Sequence, residues 1–335
     1  MVVNDIFKSK LKDRTVKESL CFAQGLLSFL DFIIKADICL PHKEYVAVND
    51  KSFSYADNYV KCKHSQYYQE FKRMWKDNEI VISDYGVGNA SCDSYTGKIF
   101  IGQSNTVLDD LFLVHEFFHH QNLRPINKNS APFNSLSRKL FGEAISIMAQ
   151  LDFAKSLTND SLLKDSKIFE LDYVNDCVSC AKKARVELIL IDIFNFCGDV
   201  SDYSVEKYLS TCNDQYLKEL VASEYEKCLR DICGWGANLK FLFNLKYVLG
   251  VTVGYYLADL VEKDPNKWND IYYINSNFYD IDINTFFDRI GTTLDNEHIL
   301  LNFLEHYKTL KDEASLSGDA NKRKRLVRYQ DSISN

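Results

Sequence analysis

The sequence predicts a mainly α-helical protein with a small β-sheet set beside one chemically loaded helix. Three observations predict it. Prolines number only four and glycines thirteen in 335 residues, so few positions break a helix. Apolar residues recur at helical spacing through most of the chain. Only two short runs, Glu79–Ser83 and Lys98–Gly102, have the composition of strands.

Taken in order, Thr15–Ala36 and Ala56–Lys76 read as amphipathic helices, the second with Tyr59, Tyr67, Phe71 and Trp75 on one face. The strand-like runs flank Gly86–Ser94, which is rich in Gly, Asn and Ser and reads as a turn. The two runs are therefore expected to pair as a hairpin. A helix follows to about Gln121, with Ser104, Asn105 or Thr106 as its cap. Thr106 and Asp109 have capping-box spacing. Asn122–Ser135 holds two prolines and several small polar residues, so it predicts a loop. A return helix is expected from near Ser135 to about Ser156. Further helical patterns cover Lys167–Lys183, Val186–Phe196, Val205–Leu229, Leu239–Glu262 and Asn296–Lys311. From Ser315 the chain is polar, and its basic cluster Lys322–Arg325 reads as a solvated end. The expected organisation is one domain in two lobes: 1–110 with N-terminal helices and sheet, 111–157 as a metal-binding helix pair, 158–312 as a helical lobe, and 313–335 as a polar tail.

Composition narrows the function. A hydrophobic content of 46% and a charged content of 26% are those of a folded domain. The net charge of −7 argues against a nucleic-acid partner. Met1–Lys12 has no apolar run of signal type, and no stretch has the length and apolarity of a membrane span. The expectation is a cytoplasmic protein, with signal-independent export as an effector or toxin equally compatible. Ten cysteines then read as reduced thiols. Cys177 and Cys180 form a lone C-x-x-C. With no second pair, burial as small hydrophobes is the expected role rather than a structural zinc site.

The informative stretch is His115-Glu116-Phe117-Phe118-His119, an H-E-x-x-H pattern. Residues four apart lie one above the other on a helix, so both imidazoles can reach one metal ion. Glu116 sits beside them and can take a proton from a metal-activated water. The bland alternative is two histidines on an amphipathic helix. A catalytic zinc needs a third protein ligand. His120 projects about 100° from the His115/His119 face, and no other histidine occurs before His298. A carboxylate is the remaining donor. Glu143, 24 residues after His119 among Phe141, Ala144, Ile145 and Ile147, fits a helix, a loop and an antiparallel return.

Phe100–His119 resembles the oligoendopeptidase F branch of the thimet-oligopeptidase-like (M3) zinc peptidases, in which a strand and a Thr-Leu-Asp-Asp-x-Phe-like run lead into the H-E-x-x-H helix. Glu143-Ala144-Ile145-Ser146 resembles the Glu-x-x-Ser segment that carries that family's third zinc ligand. Lys246–Gly250 and Gly254–Ala258 are more weakly similar to its tyrosine-rich helix. The resemblance is good over about residues 98–155. It implies a zincin-like fold, one Zn2+ ion held by His115, His119 and Glu143, and a peptide or protein substrate cleaved with Glu116 as general base. It also implies a tyrosine hydroxyl to stabilise the oxyanion, for which Tyr247 and Tyr256 rank ahead of Tyr255. Gln150 and Asp110 are the candidates to support the ligands from behind. The run Lys98, Ile99, Phe100, Ile101 and Gly102 would offer a sheet edge to an extended peptide. The departures are the short chain, Phe118 where glycine is frequent, Gln150 where a glutamate is frequent, and no histidine just before the tyrosines. Gln150 and the missing histidine favour the competing reading of a catalytically weak relative that binds a peptide or partner.

Overall fold

Among the described residues, helix follows helix along the chain, broken once by three short strands. The computed structural model describes residues 2–12, 20, 23–24, 26–35, 53–84, 86, 88–123, 136–157, 160–234, 243–278, 280–293 and 297–316. Residues 15–19, 21–22, 25 and 36 of the expected helix Thr15–Ala36, the loop at 124–135 and the tail with Lys322–Arg325 lie outside the described residues. Among the described residues, no helix is long and apolar enough to cross a membrane.

The chain divides into two compact units that interleave in sequence. The first comprises 1–38, 132–140 and 175–249, and the second 39–131, 141–174 and 250–335. The first unit contains α1 (Val2–Lys10), α2 (Leu27–Lys35), the C-terminal part of α7 (Asp160–Cys197), α8 (Asp202–Thr211), α9 (Gln215–Gly234) and the start of α10 (Phe243–Lys263). Phe7 stacks on Phe194 at 5.5 Å between ring centroids. Arg185 Nε donates to Asp31 at 2.7 Å, and Lys183 Nζ to Asp231 at 3.0 Å. Cys177 is buried and Cys180 half-buried, both as free thiols. Burial pushes the Cys177 thiol well up and that of Cys180 to about 12. Such thiols are poor metal ligands, in keeping with a packing role.

The second unit contains α3 (Ser54–Lys63), α4 (Ser65–Lys76), β1 (Ile80–Ser83), β2 (Ala90–Cys92), β3 (Ile99–Gly102) and α5 (Val107–Leu123). It continues with most of α6 (Leu136–Ser156), the start of α7, most of α10, then α11 (Lys267–Ser276), α12 (Ile283–Ile290) and α13 (Glu297–Leu316). The expected helix 56–76 is two helices, divided at His64, whose backbone leaves the helical region (φ −124°, ψ 47°). The patterns at 167–183 and 186–196 are one helix of 38 residues, because neither Gly nor Pro separates them. Val205–Leu229 is two helices, interrupted at Cys212-Asn213-Asp214, where Asn and Asp favour a turn. Helix α12 had no expectation, although Asp282 caps it by accepting from Thr285 N at 2.8 Å and Gly291 ends it at φ 78°.

The sheet corrects two expectations. Its order is β1-β3-β2. The runs 79–83 and 98–102 do pair, but in parallel, Ile80 beside Ile99 and Ser83 beside Gly102. The hairpin partner of β3 is β2, which lies inside the stretch expected to be all turn. Strand β3 is thus central. The run Lys98, Ile99, Phe100, Ile101 and Gly102 has neighbours on both sides along Ile99–Gly102 and offers no open edge there. Ile99 and Ile101 are fully buried, and Phe100 faces out, 44% exposed, as strand alternation requires.

Local bonds set the start of α5. Thr106 Oγ1 accepts from Leu108 N at 3.2 Å, while the Asp109 carboxylate reaches back to Ser104 N and Asn105 N at 2.9 and 2.8 Å. The same carboxylate accepts from Ser104 Oγ at 2.7 Å. This reciprocal cap fixes the entry of the helix that bears the histidines. Asp110 accepts from Ala56 N at 2.9 Å and ties that entry to α3. At the other side of the helix, buried His64 is packed edge-on against Phe118 and Trp268, at 5.1 and 4.4 Å between centroids. Its Nδ1 lies 2.9 Å from Tyr272 Oη. Burial, reinforced by the charge of Lys63, lowers its pKa to about 3.

Unfolded histidine titrates near 6.5, so between pH 6.5 and 3 the unfolded chain holds a proton that the folded chain lacks. Stability then rises with pH across that window and falls as pH drops through it. The expected outcome is an acid-side loss of about 1.4 kcal/mol per pH unit from this group. Urea denaturation between pH 4 and 7 should show a shallower acid limb for His64→Gln than for the wild type.

Candidate metal centre

The site is assembled from two helices of the second unit. His115, Glu116 and His119 lie on α5, and Glu143 on α6. His115 is 7%, Glu116 8% and Glu143 4% exposed, and His119 is half-buried. Spacing of four brings the two imidazoles together at 4.7 Å between centroids. Their Nε2 atoms face a single carboxylate oxygen. Glu143 Oε2 is 3.7 Å from His115 Nε2 and 3.6 Å from His119 Nε2. One ligand atom from each of the three residues lies within 4.8 Å of the others, and among the described residues no other group of His, Cys, Asp or Glu forms such a cluster.

These distances fit a metal ion. Zinc binds His nitrogen and carboxylate oxygen at about 2.0–2.2 Å in a tetrahedron, which separates ligand atoms by roughly 3.4 Å. The donor set, two imidazoles and a carboxylate, suits zinc and leaves one tetrahedral position over. A cation bound among these three groups would favour burial of the carboxylate.

Support for the ligands comes from packing and from one amide. Gln150 lies on the same helix as Glu143, and its Oε1 accepts from His115 Nδ1 at 3.0 Å. That bond leaves Nε2 as the ring's lone-pair donor. Tyr173 Oη also donates to Gln150 Oε1 at 3.0 Å, a contact with no sequence signal. Helix α10 backs closely onto α6. A Cβ at Gly250 would lie 2.5 Å from Glu143 Cβ, and one at Gly254 would lie 2.7 Å from Ile147 Cγ2. Two glycines four apart thus let α10 press on the residue that presents the carboxylate. The tyrosines on that helix distribute differently. Tyr255 is buried against Phe303 and His306. Tyr256 is half-buried and about 200° around the helix from Gly254. Tyr247 belongs to the first unit and carries Lys246 Nζ over its ring at 4.4 Å.

The sheet brings an unforeseen element to the site. Cys92 on β2 is close enough to Glu116 for that carboxylate to raise its thiol pKa, after the larger effect of burial. Among the described residues, β2 pairs with a strand on one side only. Asp93 N donates to Lys98 O and Gly102 N donates to Asn89 O, so bonded pairs alternate through Ser91–Phe100. Ala90 and Cys92 therefore turn their N–H and C=O groups away from β3, on the sheet's outer edge. His120 is buried and points to the sheet, with Nδ1 2.8 Å from Gly97 O.

An H-E-x-x-H helix against a small mixed sheet, with a glutamate from the next long helix completing the ligand set, is a zincin-like fold whose triad is consistent with a zincin-type metallopeptidase site. Comparison with protein-family models, with curated proteins and with solved structures found no match.

Metal affinity should follow this geometry. His119→Ala is expected to abolish tight zinc binding. Gln150→Leu, which removes the acceptor behind His115, is expected to weaken it roughly 10–100-fold. Gly250→Ala should weaken it as well, by displacing Glu143. Competition with a chromophoric chelator reads all three.

Proposed function

We propose that this protein is a zinc-dependent endopeptidase with a mechanism similar to that of the oligoendopeptidase F branch of the thimet-oligopeptidase-like enzymes. The observation that carries the reading is the convergence of His115 Nε2, His119 Nε2 and Glu143 Oε2, with Glu116 on the same helix as the two histidines.

His115, His119 and Glu143 would hold the ion. Bound there, zinc would polarise a peptide carbonyl and lower the pKa of a water to about 7. The chain's own groups supply the rest. Glu116 takes a proton from the attacking water and returns it to the leaving amine nitrogen. The outward N–H and C=O groups of Ala90 and Cys92 bind the main chain of an extended peptide as an added antiparallel strand. This replaces the central strand β3 as the peptide-reading element. Main-chain recognition tolerates many side chains, so the substrates are extended peptides or unfolded protein segments rather than one fixed sequence.

A tyrosine hydroxyl for the oxyanion, from Tyr247 or Tyr256, is what the family resemblance implies. A hydroxyl that acts only as charge develops contributes to kcat rather than to binding.

The decisive comparison is wild type against Glu116→Gln. Both should bind one zinc ion per chain. The wild type should generate new peptide termini in a cell lysate, blocked by a chelator and restored by zinc, and Glu116→Gln should lose most of that turnover. Full activity in Glu116→Gln would remove the base assignment. A zinc-loaded wild type that cleaves nothing would leave a peptide-binding relative as the better description. Tyr247→Phe is expected to lower kcat with zinc affinity and KM retained, read on a quenched fluorescent peptide.

A further inference from the structure

We infer that His120, the residue after the ligand His119, is a positioning residue that fixes the peptide-accepting edge of β2 relative to Glu116. The inference rests on the peptidase reading above. It concerns how the substrate is placed, not how the metal is held.

His120 is about 100° around α5 from His119, so it leaves the metal face and enters the sheet. Both ring nitrogens are engaged. Nδ1 meets Gly97 O at 2.8 Å, and Nε2 meets Glu70 Oε1 on α4 at 3.1 Å. The ring lies parallel to Phe117 at 6.3 Å. Gly97 belongs to the turn that joins β2 to β3. Its φ of +70° suits glycine, and a Cβ there would come within 2.8 Å of His120 Nδ1. The imidazole therefore fills the space that any side chain at 97 would take.

The turn itself is stiff. Asp93 Oδ1 accepts from Tyr95 N at 3.1 Å, Thr96 N at 2.7 Å and Thr96 Oγ1 at 2.7 Å. Gly97 N donates to Asp93 O at 2.8 Å. A stiff turn pinned at Gly97 O carries its pin to the strand that precedes it, and Cys92 Sγ on that strand lies 3.7 Å from the same oxygen. On the far side of the ring, Glu70 accepts from Arg73 Nη2 at 2.9 Å and Nε at 3.1 Å. Arg73 also grips Glu79, the residue before β1, at 2.6 and 2.8 Å. One imidazole thus connects the helix that carries Glu116 to β2, and through Glu70 and Arg73 to α4 and the start of β1. The edge at Ala90 and Cys92 is held against α5 by this link together with the buried face of Ile99 and Ile101.

The expected signature separates placement from chemistry. Edge contacts bind the peptide main chain in ground and transition states alike, so loosening them raises KM more than it lowers kcat. His120→Ala should raise KM for a quenched fluorescent peptide roughly tenfold, with the larger share of the loss in KM. Zinc affinity by chelator competition should stay within about twofold of wild type, because the ligand set is intact. Amides of 93–98 should exchange hydrogen faster. Gly97→Ala attacks the same contact from the other side and should show the same pattern. His120→Asn, whose amide N–H can reach Gly97 O from nearly the Nδ1 position, should restore much of the KM and the protection.

Unchanged exchange at 93–98 or unchanged KM in His120→Ala overturns the inference and leaves the peptidase reading standing. A fall in zinc affinity matching the activity loss also overturns it, by making His120 a support of the metal ligands. If the zinc-loaded wild type cleaves no peptide, the peptidase reading fails and this inference fails with it.

Discussion

Two imidazoles and a carboxylate from two helices are brought to one point, and the rest of the second unit has to keep them there. They lie at metal-ligand spacing around Glu143 Oε2. Moving a carboxylate from water into an apolar interior costs several kcal/mol. The fold therefore places Glu143 by force of packing. The backing of α10 against α6 at Gly250 and Gly254, where a single methyl would collide, is the closest of these contacts. A cation that binds the folded ligand set would stabilise it, so metal binding and the stability of this region are coupled.

The same helix serves three neighbours from three faces. Its metal face carries His115 and His119. Its sheet face carries His120, bonded to Gly97 and Glu70. Phe118 lies against His64 and Trp268 in the aromatic cluster. Polar and apolar groups are thus spread around the whole circumference, and the helix is buried nearly throughout. A helix enclosed in this way cannot shift to accommodate a substrate. That rigidity suits a site whose general base, ligands and strand edge must stay in fixed relation.

The sheet is small, but its topology decides which strand faces substrate. A parallel β1–β3 pair places β3 in the middle, and β2 closes the sheet with one side open. The open edge is only three residues long, and Ser91 on it is polar and exposed. Short polar edges resist uncontrolled strand pairing while still offering two pairs of outward backbone groups to a peptide.

What the sequence determined was local. The H-E-x-x-H spacing, the cap at Thr106 and Asp109, the helix from 136 and the glutamate on it were legible because each depends on neighbours within a few turns of helix or on one short loop. The helix breaks at His64 and at Cys212–Asp214 were hidden, since the apolar period runs straight through them and only long-range packing selects the break. Tertiary structure decided the pairing of the strands. Three residues, Ala90-Ser91-Cys92, are too few to show alternation, and their strand identity comes from β3 alone. The units meet inside helices, at 140/141, 174/175 and 249/250, where no change of composition marks a boundary. The partners of Gln150, His120 and Gly250 were likewise decided in space, because hydrogen bonds and helix contacts between residues tens to a hundred positions apart leave no periodic trace in the chain.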